Sequence, residues 1–414
     1  MVRRPRPALG ERLRDADGRR RPLADLVERE LAFARVGPFR ADAFSSRLHD
    51  ERTAALLGIA LGACFLVCFA TGLITQFAQH PLDVGFLSMP ASPGWLYRVT
   101  QGAHVATGTL AVPLLLAKLW TVYPRLFTWP PIRGAAHALE RISLVPLVAG
   151  SLFQLGSGLA NGAHWRPWSF DFPVAHYWTA WIVIGALIVH VGAKLPVTRR
   201  ALGRAARAAP EPAGSGLSRR GFLTTAFAAA GVITLTTVGQ TVRPLRQLAL
   251  LAPRRPDVGP QGVPVNKAAS GAGVVEAAQD PGYRLVVDGD VARPLRLSRD
   301  ELLALPQHSA ELSIACVEGW SSAAVWGGVP IRDLVALAGG DPERCEVVVH
   351  SLQESGSYSR SRLNEPHVRE RDSLLALTLR GEPLHLDHGY PCRLIAPNRP
   401  GVQQTKWVAR LEVV

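Results

Sequence analysis

A cysteine in the run Ile314-Ala315-Cys316-Val317-Glu318-Gly319-Trp320-Ser321 stands at the end of a β-rich stretch, where the chain enters a turn. A thiol placed there can reach a metal; as a ligand it is held deprotonated, and soft sulfur selects a soft metal. Taken alone, the same residue also reads as a buried structural cysteine, which packs like a small apolar group. A second set of reactive side chains lies in apolar surroundings. His176 and His190 are fourteen residues apart in one hydrophobic run. In a helix that separation is about 21 Å of rise and nearly four whole turns, so both imidazoles face one side near opposite ends. His104 opens another hydrophobic run at the depth of His176. Two neutral imidazoles from adjacent helices are what a six-coordinate b-type haem iron requires, which makes His104 with His176 an outer haem pair. An inner haem would use His190. The position fourteen residues beyond His104 is Lys118, so its partner would be His137 or His49, at the ends of neighbouring runs. The competing reading of these histidines is interfacial, with hydrogen bonds to backbone.

Four apolar runs position these groups, near Thr53–Phe77, Val99–Tyr123, Ile142–Ala160 and Val174–Leu195. Each has about the 20 residues needed to cross roughly 30 Å of hydrocarbon. Pro113 and Pro146 interrupt two of them, which bundled membrane helices tolerate. Lys and Arg concentrate before the first run, after the second and after the fourth, which assigns those segments to the cytoplasm. The loops at 78–98 and 161–173 carry only Arg98 and Arg166 as cations and should face outside. Cys64 and Cys68 share a face of the first run, where packing explains them.

Leu217-Ser218-Arg219-Arg220-Gly221-Phe222-Leu223 is a twin-arginine export signal inside the chain. The export machinery that reads it moves folded, cofactor-loaded domains, and the apolar run Phe222–Val242 behind it lacks a small-residue cleavage site. The expected order is a basic cytoplasmic segment at 1–50, a four-helix transmembrane domain at 51–200, a cytoplasmic linker at 201–220, a fifth, anchoring helix at 221–245 and an external domain at 262–414. The protein would then be a multi-pass protein of the inner membrane. A short amphipathic pattern around Leu23–Leu31 forms no core of its own. The net charge of +13 is explained by these membrane-flanking arginines, so no nucleic acid partner is expected. Five cysteines without zinc or C-x-x-C-H spacing exclude a disulfide scaffold and covalent haem.

Short β-rich runs at Tyr283–Val287, Leu312–Cys316, Cys345–Ser351, Cys392–Ile395 and Trp407–Val414, with a helical patch at Ile331–Ala338, predict a mixed α/β domain. Cys345 and Cys392 have no metal-ligand partner and are expected in its core. Arg360 and Arg362 could attract an anionic substrate or belong to a solvated loop.

Several separated stretches carry a family resemblance. They are Cys316-Val317-Glu318-Gly319-Trp320-Ser321, Trp326-Gly327-Gly328-Val329-Pro330, His388-Gly389-Tyr390-Pro391-Cys392-Arg393-Leu394-Ile395-Ala396-Pro397 and Asn398-Arg399-Pro400-Gly401-Val402-Gln403-Gln404-Thr405-Lys406-Trp407. Over roughly 262–414 the chain resembles the oxidoreductase molybdopterin-binding domain of sulfite-oxidase type, and the Cys-Val-Glu-x-Trp-Ser form is closer to the catalytic subunit of periplasmic methionine sulfoxide reductase. The membrane half resembles the cytochrome b subunits of bacterial oxidoreductases. The resemblance implies that Cys316 and a pterin dithiolene hold molybdenum. It also implies pterin contacts at Asn266, Ser351 and His388, the last two departing from the family's residue type, and at Arg393, Gln404, Thr405 and Lys406. Arg393 and Lys406 suit a cofactor ending in phosphate. The implied cofactors are Mo-molybdopterin and one or two haems b, with electrons passing between the quinone pool and molybdenum. An S-oxide or N-oxide, as a small molecule or borne on a protein, would be reduced. The alternatives are a sulfite-type dehydrogenase running electrons inward, or an inactive binding or electron-relay protein.

Overall fold

The computed structural model describes residues 37–39, 43–44, 46–80, 89–128, 132, 134–165, 167–203, 217–356 and 358–414. The amphipathic pattern at Leu23–Leu31 and most of the linker at 201–220 lie outside the described residues.

Five long helices come first: α1 (Glu51–Gln79), α2 (Leu96–Val122), α3 (Ala135–Gly162), α4 (Phe172–Leu202) and α5 (Arg219–Val238). All five are long and apolar enough to cross a membrane. The starts of α1, α4 and α5 follow from side-chain caps that satisfy the first free N–H groups. Asp50 Oδ1 accepts from the backbone of Arg52 and Thr53 at 2.8 and 2.9 Å, Asp171 Oδ1 from Val174 at 3.3 Å, and Ser218 Oγ from Gly221 at 3.1 Å. Leu66, Ile142, Val145 and Ile188 on these helices are exposed.

The described chain divides into two compact units. One holds the described residues up to Gly62, with Pro113–Ser151 and Trp181–Ala229. Inside it the Lys118 Nζ donates to the Ala54 carbonyl, Lys194 pairs with Glu140, and Arg219 Nε lies 3.5 Å from Asp50 Oδ2.

The other unit joins Ala63–Val112 and Leu152–Ala180 to Ala230–Val414. Its ten strands are β1 (Leu285–Gly289), β2 (Leu295–Leu297), β3 (His308–Ala315), β4 (Ser321–Pro330), β5 (Val347–Ser351), β6 (Arg360–Leu363), β7 (Leu374–Leu379), β8 (Glu382–Pro383), β9 (Arg393–Ile395) and β10 (Val408–Val413). One sheet runs β2-β1-β10-β5-β6, with β1 and β10 parallel and the other pairs antiparallel. The other runs β3-β4-β7-β8, with β9 also paired to β7. Short helices α6 (Ala269–Ala272), α7 (Val275–Gln279), α8 (Arg299–Ala304), α9 (Ile331–Leu337) and α10 (Glu365–Arg369) fill the connections. Ser298 and Glu301 form a reciprocal capping box at α8.

One core gathers Leu285, Val287, Val347, Val349, Leu411 and Val413 of the first sheet against Leu334 and Val335 of α9. A second packs Leu312, Ile314, Trp326, Leu374 and Ile395. The multi-domain class expected from sequence, four apolar helices and a fifth before a mixed α/β domain, is the class observed. The strands at β2, β4, β6, β7 and β8 were not among those expected. β7 is apolar at nearly every position and buried on both faces, so it shows none of the alternation that marks a half-buried strand.

Candidate functional site

Strand β3 delivers Cys316 into a closed turn. The Cys316 N–H donates to the Trp320 carbonyl at 2.9 Å, and the Gly319 N–H to the Cys316 carbonyl at 3.1 Å. Gly319 has φ +89°, a backbone conformation that a side chain would strain. Cys316 is 5% exposed. The Asn266 amide donates to its Sγ at 3.2 Å and to Glu318 Oε1 at 3.3 Å. Trp320 Nε1 donates to Glu318 Oε2 at 2.9 Å, and His164 Nε2 lies 2.8 Å from Glu318 Oε1. Burial, and then the Glu318 charge, push the Cys316 thiol up to about 12. Left to itself the thiol stays protonated; a bound cation reverses that preference. Among the described residues no group of three or more His, Cys, Asp or Glu could hold a metal. A metal at Cys316 must therefore bring its other ligands with it, as a dithiolene cofactor does.

A cationic seat lies in the β9–β10 region. Arg393 is fully buried, with its guanidinium donating to the His388 and Gln404 carbonyls at 3.1 and 3.0 Å and lying 5.0 Å from the Trp326 ring centre. Burial lowers its pKa to about 9. Lys406 Nζ donates to the carbonyls of Asp387 and Lys267 at 2.7 and 2.8 Å, and burial, then Arg393, bring it down to about 7. Gly389, at φ +108°, is the hinge between them: a Cβ there would meet Arg393 Cβ at 3.0 Å and Lys406 Cβ at 3.1 Å. His388 Nε2 meets the Pro260 carbonyl at 2.7 Å, and burial is the main cause that lowers it to about 4. These cations are held by carbonyls, and Arg393 lowers the hold of both Lys406 and His388 on a proton, an arrangement that an anionic group such as phosphate would relieve.

Other residues singled out from sequence have internal partners. Ser351 Oγ donates to the Lys406 carbonyl at 2.7 Å, Thr405 Oγ1 meets Ser361 Oγ at 2.6 Å, and the Gln404 amide clamps both backbone groups of Ala396 at 2.9 and 2.7 Å. They shape the segment that carries Arg393 and Lys406. Arg360 and Arg362 lie on strand β6 instead of in a loop, and Arg362 Nε pairs with Glu346 at 2.7 Å. Cys345 and Cys392 are core residues, Cys392 beneath the Tyr283 hydroxyl at 3.1 Å. Sequence reasoning assigned no role to Glu318, His164 or Gln101. Glu318 was visible inside the Cys316 motif, whereas nothing local marks the other two.

The histidines of the same unit come together as a pair. His104 on α2 and His176 on α4 have ring centres 6.3 Å apart and an interplanar angle of 71°. A metal bonded to both at about 2 Å would place the ring centres about 6 Å apart. His104 Nδ1 lies 2.9 Å from the Cys68 carbonyl, which assigns the proton to Nδ1 and leaves Nε2 a lone pair. His176 Nδ1 is buried without a hydrogen-bond partner. Glycines flank the rings: a Cβ at Gly72 would lie 3.2 Å from His104, and one at Gly158 3.8 Å from His176. Cys68 meets Thr107 Oγ1 at 3.0 Å and packs between helices.

In the first unit, His49 Nδ1 meets the Thr121 carbonyl at 3.2 Å, and its ring packs against Phe44, Trp120 and Tyr123. His190 and His137 both lie within the electrostatic reach of Glu140, and Lys118 and Lys194 stand near His190.

Residues 272–414 match the family described as oxidoreductase molybdopterin binding domain. An uncharacterized oxidoreductase, YuiH, of Bacillus subtilis is 33% identical over 131 residues, covering 31% of this chain and 64% of that protein. The mitochondrial sulfite oxidase of Drosophila melanogaster is 30% identical over 155 residues, 32% of this chain and 27% of its own. The catalytic subunit MsrP of the protein-methionine-sulfoxide reductase of Gluconobacter oxydans is 28% identical over 146 residues, 32% of this chain and 47% of its own. The chain thus spans less than two thirds of each relative's own length.

Proposed function

We propose that this chain, whose residues 272–414 are an oxidoreductase molybdopterin-binding domain of sulfite-oxidase type, is a membrane enzyme that passes electrons between the quinone pool and a molybdenum site through haem b. The observation that carries the reading is the presence, in one compact unit, of the Cys316 turn and the His104–His176 pair. Molybdopterin, when bound, supplies two-electron oxygen-atom transfer. Cys316 would give the protein thiolate, Asn266 would hold that sulfur from the side, and Arg393 and Lys406 would engage the pterin phosphate. His104 and His176 would hold the haem. His190 with His137 would be the seat of a second one. The twin-arginine pair at Arg219 and Arg220 supports export of the C-terminal domain by the machinery that reads it, which puts that domain outside the inner membrane.

Reduction of an S-oxide or N-oxide is the favoured reaction: the oxide takes two electrons from a quinol and two protons, and leaves as sulfide or amine plus water. The Glu318 carboxylate beside Cys316 favours a neutral oxide over an anionic substrate. The likeness to sulfite oxidase supports the second reading, an outward-facing sulfite-type dehydrogenase. One experiment separates them. Metal and haem analysis of the purified chain comes first, then stopped-flow spectra with methionine sulfoxide or sulfite. Reoxidation of reduced haem by the sulfoxide supports the first reading, and reduction of oxidised haem by sulfite the second. A protein without molybdenum or haem refutes both.

A further inference from the structure

The strongest unexplained contacts surround Gln101, a buried polar residue on α2 that is 3% exposed. Its Oε1 accepts from Thr75 Oγ1 of α1 at 2.7 Å, and this bond aims the amide. Its Nε2 donates to the carbonyl of Val317 at 2.6 Å, the residue next to Cys316. One turn further along α2, Val105 abuts the same turn from below: a Cβ on Gly319 would lie 2.8 Å from Val105 Cγ2. One turn earlier, the Tyr97 N–H donates to Asn398 Oδ1 at 2.6 Å. Tyr97, Gln101 and Val105 therefore form one helix face at four-residue spacing. His104 follows Gln101 by three residues and borders that face.

We propose that Gln101 is a positioning residue that ties the turn carrying Cys316 to the helix carrying His104, and is the bridge by which electrons cross between the two centres. The proposal rests on the haem and molybdenum reading given above. Two independent features argue for a dedicated bond. A buried amide costs stability unless both its ends are paired, and here both ends are used, one on α1 and one on the turn. A carbonyl at 2.6 Å also gives a continuous route, along the backbone of α2, the Gln101 side chain, one hydrogen bond and the backbone of Val317 and Cys316, where the alternative is a jump across van der Waals contact. Each electron that crosses in the reductive direction oxidises the group held by His104 and His176 and reduces the one held by Cys316. No bond is made or broken between them, and the quinol is the source.

The test uses the full chain in detergent and compares wild type with Gln101→Leu and with Arg98→Ala. The second variant removes a contact between α2 and β3, Arg98 to Ser313 at 3.4 Å, without touching the turn. Three readouts are taken: amide hydrogen exchange over residues 316–320, methionine sulfoxide reduction driven by reduced viologen, which feeds molybdenum directly, and the same reduction driven by a quinol. Gln101→Leu is expected to raise exchange in the turn and slow the quinol-driven rate several-fold, with molybdenum and haem contents retained and the viologen-driven rate near wild type. Arg98→Ala should match wild type in all three. Unchanged exchange in Gln101→Leu would overturn the positioning role, and an equal loss of both rates would overturn the bridge. A wild-type chain without haem or sulfoxide turnover would sink the functional reading, and the exchange measurement would then decide the positioning claim by itself.

Discussion

Replacing Lys406 by methionine tests the idea that the domain keeps a cationic seat for an anionic cofactor at a cost to its own stability. Methionine keeps most of the stem and removes the charge. In the folded chain Lys406 sits near pKa 7, mainly through burial and then through Arg393, against about 10.4 for a free lysine. The folded form gives up its proton first. Between pH 7 and about 10.4 the unfolded chain binds more protons, so the stability of the cofactor-free protein rises with pH across that window and the penalty is complete below it. At about 1.4 kcal/mol per pH unit, the gap amounts to an upper bound of about 5 kcal/mol. Against it stand two lost hydrogen bonds, to the carbonyls of Asp387 and Lys267, costing about 1 kcal/mol each. Cofactor-free Lys406→Met should therefore be more stable than wild type at pH 6 by up to about 3 kcal/mol and less stable at pH 10. Its pterin affinity should fall by about 10- to 100-fold, the value of one charge-assisted bond to phosphate. Thermal unfolding in detergent at both pH values, with pterin retention on gel filtration, measures all of this. Equal destabilisation at pH 6 and pH 10, with pterin retained, would refute the cationic seat.

Three further outcomes follow from the same geometry. Cys316→Ser should keep the pterin while abolishing turnover and changing the Mo(V) resonance spectrum, whereas Cys345→Ser and Cys392→Ser should leave that spectrum alone; full activity in the Cys316 variant would make the cysteine structural. His104→Ala and His176→Ala should each remove the same haem from redox difference spectra and His190→Ala should spare it, so an unchanged haem content in the His176 variant would dissolve the pair. Exchanging Arg219 and Arg220 for lysines should leave the C-terminal domain protected from external protease, and a domain still digested from outside in that variant would break the assigned topology.

Apolar length and charge were legible because they act locally. Runs of about 20 apolar residues can satisfy their backbone in lipid only as helices, so the five long apolar helices could be read without any knowledge of neighbours. The His104–His176 pair was legible because helical period and depth bring two residues on different helices to one level. The limits are equally physical. Gln404 and Thr405 belong to a recognisable stretch, yet their side chains serve Ala396 and Ser361. A motif marks a segment, and tertiary packing decides which of its atoms face a ligand. Arg362 looked available in a run of Ser and Arg, and its ion pair with Glu346 depends on strand pairing between β5 and β6. His164 and Gln101 reach residues more than 150 positions away. No window of sequence contains such a contact.

The charges of the C-terminal domain are sorted by sign, and the sorting accounts for more than either group alone. Arg393 and Lys406 have carbonyls for partners, burial lowers the hold of both on a proton and Arg393 lowers that of Lys406 further, a cost that an anion completing the set would offset. Glu318 is the opposite case. Its carboxylate accepts from Asn266 and Trp320 and meets His164, so its oxygens are already engaged and it has little left to offer a metal. Its effect on Cys316 is to add to burial in raising the thiol, so that a bound cation is needed to hold the thiolate. A cofactor with a phosphate at one end and a metal at the other can lie with its phosphate on the cations and its metal at the thiolate. It would not bind equally well reversed.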